Sequence, residues 1–131
     1  MKSEAIFVGK RRLAVSRVKL VPGTKRIIMN GKVLEEFPKI VQLKITEPLI
    51  VIGDDNFDIK INAEGGGFMA QAEAAAQGIA RAIVSIKGEE AKKTFLEYDR
   101  ALLVQDPRRS EPHKPSRSKK GARRHKQRSK R

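Results

Sequence analysis

The sequence predicts an α+β domain, with three helices on a small sheet, followed by a basic tail that does not fold alone. Three observations predict it. Phe57, Ile59 and Ile61 alternate with Asp58, Lys60 and Asn62, the period of a half-buried strand. Met69, Ala72, Ala76, Ile79, Ile83 and Ile86 recur every three or four residues, the buried stripe of a helix. Charge is also segregated: of 29 Lys/Arg and 15 Asp/Glu, residues 1–107 hold 17 and 14, whereas residues 108–131 hold 12 and 1.

In chain order, Ala5–Val8 reads as a short strand, interrupted by the cations Lys10, Arg11 and Arg12. Leu13–Val21 alternates, with Ala14, Val18 and Leu20 on one face and Arg17 and Lys19 on the other. Pro22-Gly23 turns the chain, and Arg26–Met29 leads into Asn30-Gly31, the favoured pair of a two-residue hairpin because both residues tolerate positive φ. Glu36–Thr46 has helical spacing at Phe37, Ile40, Val41 and Ile45, with Pro38 acceptable in the first turn. Pro48 disfavours helical geometry at Glu47 and should end that helix, leaving Leu49–Ile52 as a strand. Phe57–Asn62 is the next strand. The second helix follows Gly65-Gly66-Gly67, carries small residues (Ala74, Gly78, Ser85) opposite its apolar stripe, with Gln71 and Arg81 among them, and stops at Gly88. A third helix, Glu89–Val104, turns Ala91, Phe95, Tyr98 and Leu102 inward and pairs Glu89 with Lys93 at (i, i+4).

The expected organisation is a globular domain over residues 1–107, large enough for one core and too small for two, and a tail over residues 108–131. Apart from proline rings, the tail's only aliphatic side chain is Ala122, so it cannot bury enough apolar surface to offset the entropy of ordering. Twelve such cations on a chain of net charge +14 call for an ordered polyanion, and nucleic acid leads. The absence of cysteine excludes disulfides and thiolate chemistry. Ala5–Val8 is too short an apolar run for a signal peptide, and no segment nears the roughly 20 apolar residues of a membrane span, so a cytoplasmic location is expected.

Signals for chemistry are weak. Gly65-Gly66-Gly67 before a helix has two readings, a cradle for an RNA phosphate or room for strand and helix to pack closely; no Walker or dinucleotide spacing accompanies it. Asp54, Asp55 and Asp58 lack the spacing of a calcium loop and read as a solvated turn. His113 and His125 have no ligand constellation, and Ser16 and Ser85 have no nearby base. Lys10, Arg11 and Arg12 point to both faces of a strand, which suits phosphate contact better than a solvated edge that resists aggregation.

In order along the chain, these residues resemble a known family. Gly9-Lys10-Arg11-Arg12, Ala14, Arg17, Val18 and Asn30-Gly31-Lys32 open the match. Glu47-Pro48-Leu49, Asp58-Ile59, Gly65-Gly66-Gly67, Gln71-Ala72 and Gly78-Ile79-Ala80-Arg81-Ala82 continue it. Tyr98-Asp99-Arg100, Leu102-Leu103-Val104, Asp106-Pro107-Arg108-Arg109, Glu111-Pro112 and Ser129-Lys130-Arg131 complete it. The whole is similar to the family of the ninth protein of the small ribosomal subunit, in wording that favours its archaeal and eukaryotic branch. The chain departs from the family pattern at Ala70, Ala76 and Arg128.

The resemblance implies a mixed sheet with helices on one face, as in the second domain of the fifth small-subunit protein, plus an extended tail. It implies a non-enzymatic structural constituent of the small subunit, with ribosomal RNA, peptidyl-site transfer RNA and neighbouring proteins of the subunit head as partners. No membrane, small-molecule substrate, cofactor or metal is implied. Ribosomal RNA would be met by Lys10, Arg11, Arg12, Gly66, Gly67, Gln71, Arg81, Arg100, Arg108, Arg109, Lys114, Lys119, Lys120, Arg123 and Arg124. Arg128, Ser129, Lys130 and Arg131 at the tail tip would reach the transfer RNA. Two rivals stand beside this: a general nucleic-acid-binding or RNA-chaperone protein with a nonspecific tail, and an enzyme with a basic anchor, which the lack of any nucleophile–base pair opposes.

Overall fold

The computed structural model describes residues 5–53, 56–115 and 117–121. Five strands form one mixed sheet in the order β1-β2-β5-β3-β4: β1 Phe7–Arg11, β2 Ala14–Pro22, β3 Ile27–Met29, β4 Lys32–Val33 and β5 Phe57–Glu64. All neighbours are antiparallel except β3 and β5. Three helices, α1 Lys39–Ile52, α2 Phe68–Lys87 and α3 Glu89–Tyr98, share one face of that sheet. The α+β class and the one-sided layering expected from the sequence are therefore what the chain adopts.

Alternation sets the two faces. Ala14, Ser16 and Val18 of β2 and Phe57, Ile59 and Ile61 of β5 are buried beneath the helices, while Arg17, Lys60 and Asn62 between them are exposed. The hairpin at Asn30-Gly31 forms as predicted, with φ of 51° and 80°, and the Asn30 carboxamide oxygen accepts the Ala63 N–H at 2.9 Å, tying the turn to β5. Asp58 on the outer face accepts the N–H groups of Thr24 and Arg26 at 2.8 and 3.1 Å. Those bonds to Arg26 and Thr24 hold its carboxyl below the usual range and give it a structural task in the β2–β3 turn. Asp54 and Asp55, the rest of that acidic cluster, lie outside the described residues.

α2 is the central element, buried on two sides. Its apolar stripe holds from Ala72 to Ile83, whereas Met69 is half-buried and Ile86 is exposed. Twenty helical residues span about 30 Å, and the five residues of β1 cannot cover both ends. The small side of α2 lies on β1 and β2 at backbone distance. A Cβ on Gly9 would overlap the carbonyl oxygen of Ala74, and a Cβ on Gly78 would come within 2.6 Å of Val18 Cγ2.

Several elements differ from the sequence reading. β1 runs on through the cations to Arg11, because Gly9 is held under α2 and the ladder with β2 extends to Arg11 opposite Ala14. α1 does not end at Pro48, and Leu49–Ile52 is helix, not strand; the element stops at Gly53, whose φ is 74°. An interior proline costs about 3 kcal/mol, but burying Leu49 and part of Val51 and Ile52 in the core contributes about 1.5–3 kcal/mol per full side chain. Of the residues at helical spacing, Val41 and Ile45 are buried, with Pro48 and Leu49 beside them, whereas Ile40 is exposed and Phe37 precedes the helix.

The expected helix Glu89–Val104 is interrupted at Asp99. That residue is extended (φ −158°), and its carboxylate accepts the Ala101 N–H at 2.9 Å to cap a separate 3-10 turn, Arg100–Leu102. Ala91, Phe95 and Leu102 are inward as predicted, but Tyr98 is 55% exposed. Glu89 approaches Lys92, at 4.0 Å, in place of Lys93.

Gly9→Ala is expected to destabilise the domain by about 3 kcal/mol, because the clash is with backbone that cannot step aside. Gly78→Ala meets the buried Val18 side chain at Cγ2 and Cβ, not backbone at clashing distance, and gains helix propensity, so its loss should be smaller, about 1–2 kcal/mol. Denaturant unfolding of the two variants checks the order; equal losses would contradict the packing argument.

Candidate nucleic-acid interface

An edge strand leaves every second N–H and C=O unpaired. A polar stripe on α2, Glu73, Gln77 and Arg81, spaced four residues apart, faces β1; Gln77 and Arg81 meet two of those backbone groups and Glu73 meets the Arg11 side chain. The buried Gln77 accepts the Lys10 N–H at 2.8 Å. Arg81 donates to the Val8 carbonyl at 2.7 Å and, through Nε, to the Leu103 carbonyl at 3.1 Å, so it clips both the strand and the chain after α3 to the helix. Glu73 accepts from Arg11 Nε at 2.8 Å. Glu73 and Gln77 were not singled out in the sequence; the i, i+4, i+8 polar spacing within an otherwise small-residue face is the signal that could have found them.

The cations of β1 thus divide by face. Arg11 shares the inward face with Gly9, and its side chain is only 17% exposed between Glu73 and Asp106. Lys10 and Arg12 are exposed. Arg12 stands in the two-residue turn joining β1 to β2 with φ of 53°, a left-handed conformation that a non-glycine residue adopts at a cost of about 1–2 kcal/mol.

Asp106 joins this tip to the start of the tail. It lies 3.3 Å from Arg11 Nη1 and accepts a forked pair from Arg108, Nε at 3.0 Å and Nη2 at 2.6 Å, together with the Arg108 N–H at 2.9 Å. Hydrogen bonds from the Arg108 side chain and backbone hold the Asp106 carboxyl well below the usual carboxylate range. Arg109 Nη1 donates to the carbonyls of Asp106 and Arg108 at 3.2 and 3.1 Å. The result is a cleft of about 300 Å³ lined by Arg11, Arg12, Arg108, Arg109, Ser110 and Lys120. Five cations converge there, with Asp106 and Glu73 offsetting part of the charge behind them. Such a cleft suits phosphate oxygens, which guanidinium groups bind in a fork.

The other predicted positions are dispersed. Gly65 and Gly66 take positive φ and lie against Leu13 and Ala14 of the β1–β2 hairpin, while Gln71 donates to the Gly65 carbonyl at 3.1 Å. Close approach to the hairpin and positive φ account for Gly65 and Gly66, whereas Gly67, at the start of α2, has open space where a side chain would stand. Arg100 is exposed on the 3-10 turn and does not line the cleft. Lys114 and Lys119 are exposed, in a stretch that turns back on itself: Glu111 accepts the Lys119 N–H at 3.0 Å, and the buried Ser118 hydroxyl accepts those of Lys120 and Gly121. Arg123, Arg124, Arg128, Ser129, Lys130 and Arg131 lie outside the described residues, as does His125. Among the described residues, no three His, Cys, Asp or Glu side chains gather as metal ligands, and no helix is long and apolar enough to cross a membrane.

Comparison with known proteins gives one answer. Residues 9–131 match the family model described as ribosomal protein S9/S16. The chain is 45% identical over 126 residues to small ribosomal subunit protein uS9 of Methanococcus maripaludis strain C7, a match covering 93% of this chain and 94% of that protein. It is 44% identical, with the same coverage, to the uS9 protein of Methanococcus vannielii.

Arg12→Gly separates charge from backbone strain. The variant is expected to be as stable as the parent, or more stable by about 1 kcal/mol, while the salt slope of RNA binding falls by about 0.7–0.9. Thermal unfolding and a salt titration check the two parts; an unchanged slope would remove Arg12 from the interface. For Asp106 the depressed value sets the sign: its contribution is fully present above the ordinary carboxylate pKa and is lost only as pH falls through the lower folded value. The Arg108 side-chain N–H signals should therefore stay protected from exchange between pH 7 and 4, and Asp106→Asn should abolish that protection.

Proposed function

The chain belongs to the ribosomal protein S9/S16 family, a structural and non-enzymatic component of the small ribosomal subunit in the cytoplasm, and from that premise we propose how it binds there. The β1 tip and the tail root bind small-subunit ribosomal RNA in the subunit head, and the last residues of the tail extend to the peptidyl-site transfer RNA. The observation that carries this is the cleft in which Arg12, Arg108, Arg109 and Lys120 converge where the tail leaves the domain.

Within the proposed contact set the residues divide by task. Lys10, Arg12, Arg100, Arg109, Lys114, Lys119 and Lys120 offer exposed cations to phosphate. Arg108 meets RNA with one edge of its guanidinium while the other holds Asp106. Arg11 and Arg81 commit their strongest hydrogen bonds to Glu73, Val8 and Leu103, so they act mainly by positioning β1 and the tail root. Gln71 and the glycines Gly66 and Gly67 shape the loop that approaches RNA. Arg123 and Arg124 continue the ribosomal RNA contact, and Arg128, Ser129, Lys130 and Arg131 supply sequence-tolerant affinity for a site that accepts every transfer RNA.

Affinity in this scheme comes largely from counterion release, and specificity from RNA shape. If about eight tail cations meet phosphate, log affinity should fall with log salt at a slope of about −6 to −7. The test is binding of the full chain and a chain lacking Ser129–Arg131 to small-subunit RNA and, after assembly, of peptidyl-site transfer RNA to the subunits. The truncation should leave RNA binding nearly intact and weaken transfer RNA several-fold; equal loss of both would refute the division of labour. Equal affinity for DNA of the same length at raised salt would favour a general RNA-chaperone with a nonspecific tail.

A further inference from the structure

We propose that the groove between α1 and α3 is a docking surface for a neighbouring protein of the small subunit. It takes an apolar segment that carries a Lys or Arg beside its apolar side chains. The inference rests on the subunit membership stated above and concerns a face distinct from the cationic cleft.

Leu43 and Ile50 are 62% and 70% exposed, and Ile40 and Tyr98 are also more than half exposed. Single apolar side chains on a surface need no explanation, but these four line one open groove of about 810 Å³. The exposure is not a failure of helix patterning. α1 already buries Val41, Ile45, Pro48 and Leu49, so its second apolar face exceeds what the core requires.

Charge decides what would cover that face. On a chain of net charge +14, the groove holds two carboxylates, Glu47 and Glu97, against one cation, Lys44. Lys44 is bonded to Glu47 at 2.8 Å, and the Tyr98 hydroxyl donates to the same carboxylate at 2.8 Å. Burial raises the Glu47 carboxyl and lowers the Lys44 ammonium, but the bonds between them, with that from Tyr98, outweigh it, so both remain charged and committed to each other. Glu97 has no ion-pair partner among the described residues. A phosphate entering here would meet hydrocarbon and an unneutralised carboxylate. A protein segment with apolar side chains and one cation would bury the first and neutralise the second.

The test uses the full chain with a photo-crosslinking benzoylphenylalanine at Leu43 and, as an independent position, at Ile50, assembled into small subunits in cells. Irradiation of purified subunits should attach each variant to one ribosomal protein, at a peptide with Lys or Arg beside apolar residues. Glu97→Lys in the same chain should cut the adduct yield about tenfold. Adducts to RNA, to a second copy or within the chain would overturn the proposal, as would irradiated subunits without a protein adduct or a yield indifferent to Glu97→Lys. Failure of a chain with the parent's unfolding midpoint to co-sediment with subunits is a different result: it would overturn the proposed RNA binding, and this docking surface with it.

Discussion

Backbone contact between α2 and β1 is the constraint on which the rest of the molecule depends. At Gly9 the strand backbone meets the helix backbone at Ala74 with no side chain between them, and at Gly78 only the Val18 side chain intervenes. Only at that separation can Gln77 and Arg81 reach the outward N–H and C=O groups of the edge strand. The edge is thereby satisfied by a helix of its own chain, which leaves fewer groups to template aggregation. The same contact brings Glu73 to Arg11, and Arg11 in turn to Asp106. A packing requirement of small residues thus sets where the basic tail leaves the domain.

That connection resolves an electrostatic difficulty. A cleft lined by five cations would repel itself in the free protein. Asp106 and Glu73 hold two of the five, Arg11 and Arg108, in ion pairs, while Arg12, Arg109 and Lys120 have no ion-pair partner among the described residues. The acids therefore set the direction in which the guanidinium groups point. The left-handed φ of Arg12 is imposed by the two-residue turn that the β1–β2 ladder closes at Arg11 and Ala14.

The helical side has the opposite character. The ion pair of Lys44 with Glu47 withdraws the groove's only cation, and Tyr98 adds a hydrogen bond at the same carboxylate. Apolar and mildly acidic, this face is as poorly suited to RNA as the β1 tip is well suited. A protein embedded in ribonucleoprotein requires both kinds of surface, and here they stand on different elements of one small fold.

Local rules in the sequence determined a good part of this. Alternation fixed the inward faces of β2 and β5, Asn30-Gly31 fixed a hairpin, and Gly88 fixed the end of α2. The ordered motifs from Gly9 to Arg131 carried the family. These signals are short-range, so they survive without knowledge of what lies across the core. Tertiary structure decided the rest. Pro48 stays inside α1 because the core pays back the broken helical bond through Leu49. Arg11 serves the fold while Arg12 faces outward, because the strand continues further than the cations suggested. Tyr98 turns outward to Glu47, a partner 51 residues away that no periodicity on α3 could announce. In each case the deciding energy comes from a residue distant in sequence, and local pattern contains no term for it.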